Sequence, residues 1–340
     1  MQFVVSAASK TSDIQLLHQT FAHCGGTPSH VGAVLITPLF CTRLTLTLSQ
    51  RLQEEFGTPI MFDSGGYAVQ TGRIDYFEMY ALLLELYRRE RWAQLYTLPD
   101  NVPTSRDAPA EVEAKVRQTV ECSELFLREM PAELRDRALG VAHGRTIDQL
   151  EYCLDHYLQL GLRHVGFGSF GTAGQNSSMN VVTTDALANA RALTGLARAR
   201  GLSVHLFGVG SPAILPWIAQ TGATSFDSAN WARSAGFGQI FLPLTRGYNV
   251  SHQSAVSTIQ RGLTRGDFEQ LRGISGHSCV YCESFDRLQT SREARAAHNL
   301  LATVGALDII ARGDRTLMEA IYAAGSPRYR TLWSQGGVAL

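Results

Sequence analysis

The sequence predicts an α/β fold closed into an eight-stranded barrel, and three observations carry that prediction. Eight short apolar runs lie between Phe3 and Asp227, each bounded by turn residues. Helix-like stretches fill the segments between them. Polar side chains collect at the C-terminal ends of the runs, at Asp63, Asp100, His143, Ser169 and Asp227. Strands alternating with helices imply a parallel sheet with right-handed crossovers. Eight such repeats suggest a (β/α)8 or TIM barrel, in which the strand ends converge on one mouth. An open doubly wound sheet has the same element order, but would spread those polar ends along an edge. The barrel is therefore favoured.

Phe3–Ala7 is the first run, followed by Val31–Pro38, Pro59–Asp63 and Gln94–Asp100. Ala138–His143, His164–Ser169, Ser203–Gly208 and Thr224–Asp227 complete the set. Each has the length of a buried parallel strand. Arg73–Arg91 carries a Tyr/Phe/Leu stripe at helical spacing, and Glu111–Met130 opens with the acidic residues Glu111 and Glu113. Thr146–Leu160 begins at a Thr cap, and Thr184–Arg200 is rich in the helix formers Ala, Leu and Arg. Beyond about residue 250 the alternation stops. A helix is predicted over Ser251–Asp267, then come Gly273-Ile274-Ser275-Gly276, a cysteine motif and a long Ala/Leu-rich helix through Ala311. Residues 1–340 thus read as one barrel domain, with 265–312 forming a subdomain around the cysteines.

Composition narrows the function. With 45% hydrophobic residues and mean hydropathy near zero, the chain can bury a sizeable core and is not intrinsically disordered. Thirty basic and 30 acidic residues cancel, which excludes a strongly basic nucleic-acid clamp as a global property but leaves local patches open. All the basic residues except Lys10 and Lys115 are Arg, so phosphate contacts would come mainly from guanidinium groups. No apolar run approaches the roughly 20 residues that span a bilayer. The opening Met1-Gln2-Phe3-Val4-Val5 lacks the basic and long apolar regions of a signal peptide. Cysteines at 24, 41, 122, 153, 279 and 282 are too scattered for a disulfide scaffold. A cytoplasmic protein with no membrane partner is expected.

Three constellations carry chemistry. In Phe62-Asp63-Ser64-Gly65-Gly66-Tyr67, a strand-end carboxylate precedes glycines that allow backbone to approach a flat ligand. The competing reading is a tight loop whose Asp and Ser cap the next helix. In Phe226-Asp227-Ser228-Ala229-Asn230-Trp231-Ala232-Arg233, a second strand-end carboxylate meets an aromatic ring and a guanidinium. Two carboxylates at one mouth can divide nucleophilic and acid/base work, as in retaining glycosyl transfer, although Asp227 could also cap a helix or pair with an Arg. In His277-Ser278-Cys279-Val280-Tyr281-Cys282, with His298 following, four ligands have the spacing of a closed, structural zinc site. Further strand ends offer Asp100 as an acceptor for ring N–H and amine donors, and His143 as a donor to a carbonyl oxygen. Gly166-Phe167-Gly168-Ser169-Phe170-Gly171 offers exposed backbone amides.

At these residues the sequence resembles the tRNA-guanine transglycosylase superfamily. Asp63-Ser64-Gly65-Gly66-Tyr67 is similar to that family's Asp-Ser-Gly-Gly-aromatic motif, and Phe207-Gly208-Val209-Gly210-Ser211-Pro212 to its Met-Gly-Val-Gly-Thr-Pro run. Phe226-Asp227 with Arg233 and Gly238-Gln239 resembles the segment that opens with the family nucleophile, and the cysteine cluster with His298 its zinc subdomain. The similarity runs in order from about residue 60 to 310. It implies a TIM barrel that exchanges guanine in a polynucleotide for a 7-deazaguanine base such as preQ0. By that resemblance Asp227 attacks the ribose, Asp63 is the acid/base, Asp100 reads the amidine edge of the base and Tyr67 stacks on it. Ser64, His143, Gly168, Phe207 and Gly208 complete the base pocket, and Trp231 and Arg233 lie on the nucleic-acid side. Zn2+ is held by His277, Cys279, Cys282 and His298.

Several positions depart from the family pattern. His143 stands where a Gln is usual, and Phe167 lies in a stretch that normally hugs the base. Ala229–Arg233 replaces a Thr/Arg-rich run, His277 replaces the first zinc cysteine, and no C-terminal RNA-binding domain is recognised. These departures shift the expected substrate from tRNA toward DNA, as in the DNA-acting deazaguanine transglycosylases. Free guanine or 7-deazaguanine is the second ligand, and a homodimer or partner subunit is expected from the resemblance. A tRNA-acting enzyme and a non-catalytic nucleic-acid or partner-binding subunit of the same fold are the alternatives.

Overall fold

The computed structural model describes residues 1–168, 184–251, 262–325 and 329. Eight strands form a closed barrel in sequence order. They are β1 (Gln2–Ala8), β2 (Val31–Ile36), β3 (Ile60–Phe62), β4 (Leu95–Thr97), β5 (Ala138–Ala142), β6 (His164–Phe167), β7 (Ser203–Leu206) and β8 (Ser225–Ser228). Parallel pairing of β1 with β8, which sets Val4 beside Asp227, closes the ring. The predicted fold class is the observed one.

Strand alternation sorts the side chains. Val4, Ala33, Leu35, Met61, Leu139 and Val141 form a buried apolar cluster, against which Leu95 and Phe207 pack. Their neighbours in sequence point the other way, where Phe3 stacks on Phe226 and Phe62 meets Tyr87, Trp92 and Tyr96. This period of two fixes which strand-end residues continue the inward row.

Helix boundaries follow local capping. Thr146 accepts from the backbone N–H of Gln149, whose side chain reciprocates, so the helix Ile147–Gln159 starts where the Thr cap predicted. The helix predicted from Arg73 begins instead at Tyr76, because the Asp75 carboxylate accepts from the N–H groups of Phe77 and Glu78. The helix predicted over Ser251–Asp267 agrees with the described residues only from Arg265 onward. Residues 262–264 are not helical, and Thr264 caps the helix Arg265–Ser275. Residues 252–261 of that expectation, and Ser169–Gly171 of the predicted loop after β6, lie outside the described residues.

The chain divides into two compact units. The first comprises Met1–Ile14, Gly32–Val209 and Thr221–Ser228 and carries the barrel. The second comprises Gln15–Val31, Gly210–Gln220 and Ala229–Leu340. Its central helix, Arg292–Arg312, is buried along most of its length through Ala296, Ala297, Leu300, Ala302, Leu307 and Ile309. Asn299 on that helix accepts from the Phe241 N–H and donates to the carbonyls of Trp231 and Gln239. Among the described residues, no helix is long and apolar enough to cross a membrane.

Candidate active site and candidate metal centre

Three carboxylates meet at the C-terminal ends of the barrel strands. Asp63 follows β3, Asp100 follows β4 and Asp227 lies in β8. Asp63 Oδ2 accepts from Thr37 Oγ1 at 2.9 Å. Burial, and then the negative charge of Asp100, push its carboxyl up to about 7. Asp227 adds to that rise, whereas the hydrogen bonds from Thr37 and the Gly65 amide oppose it. A carboxyl so placed exchanges a proton near neutral pH.

Asp100 is held on both oxygens. Ser64 Oγ donates to Oδ1 at 2.5 Å, and His143 Nε2 lies 2.8 Å from Oδ2. The Ser64 hydroxyl also accepts from the Gly66 N–H. Two glycines make room for this assembly. A Cβ on Gly66 would come within 2.5 Å of Asp100 Oδ1, and one on Gly168 within 2.5 Å of His143 Cε1. His143 is expected to donate to a carbonyl oxygen, and the structure places its ring beside Asp100. Its ring is fully buried with Nε2 2.8 Å from Asp100 Oδ2, a geometry suited to orienting that carboxylate.

Asp227 accepts from the Gly208 N–H on Oδ1 at 2.7 Å. Phe207, preceding that amide, lies partly buried against the barrel core with its ring over Gly166. Tyr67, at the start of the helix Gly66–Gln70, is 53% exposed and free to cover a flat ligand. His205 is a site residue that the sequence reading did not select. Its Nε2 lies 3.4 Å from Asp227 Oδ1, and its Nδ1 is 2.9 Å from Ser225 Oγ. The signal was present, since His205 shares the inward parity of Phe207 along β7. Thr37, just past β2, was missed in the same way.

In the second unit, Arg233 is exposed on the helix Asn230–Gly236. Trp231, expected on the nucleic-acid side, is 1% exposed. Its ring belongs to the core, and that assignment is corrected by its burial.

The cluster of His277, Cys279, Cys282 and His298 assembles as the spacing predicted, with one ligand atom from each within 4.8 Å of the others. The two sulfurs are 3.2 Å apart, far beyond a disulfide bond length, and lie 3.6 and 3.4 Å from His298 Nδ1. An ion about 2.3 Å from sulfur and about 2.0 Å from nitrogen in tetrahedral geometry sets sulfur and nitrogen roughly 3.5 Å apart, which the His298 distances match, and two sulfurs roughly 3.8 Å apart, so the pair would open slightly on binding. The Cys282 N–H donates to the Cys279 carbonyl, which folds both thiols toward one point. His298 Nε2 sits 2.7 Å from the Phe241 carbonyl, an arrangement that fixes the tautomer and leaves Nδ1 as the ligand. His277 Nε2 is buried without a hydrogen-bond partner, and burial lowers that imidazole's proton affinity. The contact with Cys279 draws the Cys282 thiol well below its ordinary value. The donor set therefore fits a metal ion. No family model matches the sequence, and no curated protein is significantly similar to it.

Proposed function

We propose that this chain is a base-exchanging glycosyltransferase that replaces guanine in a polynucleotide, DNA in preference to tRNA, with a 7-deazaguanine base. One observation carries the reading. Three carboxylates share the barrel mouth in unlike environments, so they can take different roles. Barrel mouths of this fold house active sites in essentially every characterised case. Asp227 is the nucleophile that bonds to the anomeric carbon, and Asp63, which holds a proton near pH 7, protonates the departing base. Asp100, clamped by Ser64 and His143, presents fixed acceptors to ring N–H and amine donors. Tyr67 and the Phe207 ring supply stacking surfaces. The target nucleotide must leave its stack to reach such a mouth.

Preference for DNA rests on the run Ala229–Arg233 standing in place of a Thr/Arg-rich stretch. Burial of Trp231 leaves Arg233 as its exposed basic group. The metal ion is read as zinc, because two thiols and two imidazoles match its preferred ligands. Four protein ligands leave no open position, so the ion's contribution is structural.

The test is incorporation of labelled guanine or preQ0 into DNA and into tRNA, side by side, for wild type and Asp227→Ala. Incorporation into DNA that falls by on the order of 10³-fold or more in the variant is the expected result. Incorporation into tRNA alone reverses the polynucleotide assignment. Absence of exchange into either overturns the reaction and favours a binding subunit, whose function would survive Asp227→Ala.

A further inference from the structure

We infer that His205 is the positioning residue of Asp227, holding one carboxylate oxygen through Nε2–H so that the other does the covalent chemistry. The inference rests on the base-exchange reading above. His205 is 4% exposed, on β7, and its buried Nε2 has no hydrogen-bond partner among the described residues. A polar atom so buried calls for a physical explanation. The nearby acid is Asp227, with Oδ1 at 3.4 Å. Around the ring stand Ser225, 2.9 Å from Nδ1, and Phe207, edge to face with centroids 4.5 Å apart.

The tautomer follows from this geometry. A proton on Nδ1 would leave the Nε2 lone pair facing a carboxylate oxygen, with no proton between two buried acceptors. A proton on Nε2 points at Oδ1 while the Ser225 hydroxyl donates to Nδ1, and every group is matched. At 3.4 Å the contact is longer than a formed hydrogen bond, and catalytic contacts of this kind tighten once the reacting state is reached. The Gly208 N–H falls on the same oxygen. With Oδ1 engaged from two sides, Oδ2 is left as the reacting oxygen.

The chemistry balances on that basis. Oδ2 forms a bond to the anomeric carbon as the glycosidic bond breaks, and guanine leaves with the electron pair, taking the proton from Asp63. In the second half the incoming base bonds to the same carbon and gives its proton to Asp63. As that bond forms, the carbon–Oδ2 bond breaks and its electron pair returns to Asp227. Negative charge reappears on that carboxylate during this return, and the Nε2–H stabilises it. The residue therefore acts mainly on breakdown of the covalent intermediate.

Glutamine places an amide nitrogen near the position of Nε2, whereas asparagine places one near Nδ1. The experiment compares His205→Asn with His205→Gln, measuring turnover together with the covalent complex trapped at steady state. In His205→Asn, turnover falls about 10- to 100-fold, the range of a hydrogen bond to a charged group, and trapped complex accumulates. His205→Gln recovers most of both. Equal turnover in the two variants, or loss without accumulation, overturns the proposal. A second measurement needs no turnover: ¹⁵N NMR of histidine-labelled protein, with the His205 signals assigned by their loss in either variant. The Nε2-protonated form is expected, and an Nδ1-protonated ring overturns the assignment. If Nε2–H is found while the wild type exchanges no base, the His205–Asp227 pair stands and the glycosyl-transfer reading fails.

Discussion

At the barrel mouth, Asp63, Asp100 and Asp227 are brought together although each repels the others. In the second unit, two thiols and two imidazoles face a common point, and a single cation would satisfy all four. Like charges without a shared counterion keep oxygen valence open and raise proton affinity, as Asp63 shows. A ring of soft donors closes on its ion and has no valence left over. On the proposed reading, crowded ionisable groups serve reactivity in one place and cohesion in the other, and what decides is whether a cation can complete them.

Removing the ion breaks the comparison most severely. A structural zinc stabilises a small metal-bound fold by on the order of 10 kcal/mol, so Cys282→Ser or chelation should cost much of the second unit's stability. Elemental analysis should fall from one ion per chain to none, and the denaturation midpoint should drop with it. Unchanged metal content in Cys282→Ser would dismiss the site.

Asp63→Asn tests the other side. The folded chain holds a proton on Asp63 up to about pH 7, whereas the unfolded chain releases it at the ordinary carboxylate value. Wild-type stability from this group is therefore complete at low pH and lost as pH rises through that window. The variant lacks the loss. Its advantage should be negligible near pH 4 and grow to roughly 4 kcal/mol by pH 8, at 1.36 kcal/mol per pH unit. Parallel urea midpoints from pH 4 to 8 would show that the carboxyl is unperturbed.

Gly66→Ala gives a smaller and more local effect. Its Cβ, 2.5 Å from Asp100 Oδ1, forces the carboxylate to turn away from Ser64 or His143. A cost of about 1–3 kcal/mol follows from a buried group losing its partner. KM for the free base should rise more than kcat falls, and unchanged steady-state constants would free Asp100 from its assigned role.

The barrel was legible in the sequence because parallel strands buried on both faces read as short apolar runs, and all eight fall on observed strands. Asp63, Asp100, His143 and Asp227 were legible as strand-end polar groups, and the Cys/His cluster because its ligand spacing is largely local. What the sequence left hidden came from tertiary neighbours. Trp231 sits among exposed-looking residues, and its burial depends on packing within the second unit. His143 read as a ligand donor because nothing local shows that Asp100 takes its Nε2. His205 is inward by parity, but its partner Asp227 comes from the next strand, and adjacency across strands is set by register.

The proton held on Asp63 also bears on more than the proposed reaction. The formal net charge of zero counts that carboxyl as ionised, yet a carboxyl pushed up to about 7 keeps part of its proton near neutral pH. The charge of the mouth is then set in part by the solution around it. A guest that is positively charged, or that offers N–H groups to the carboxylates, favours the ionised form and drives the proton into solvent as it binds. Affinity for such a guest would vary with pH even when the guest itself does not titrate, because the cavity adjusts its own charge to what enters it.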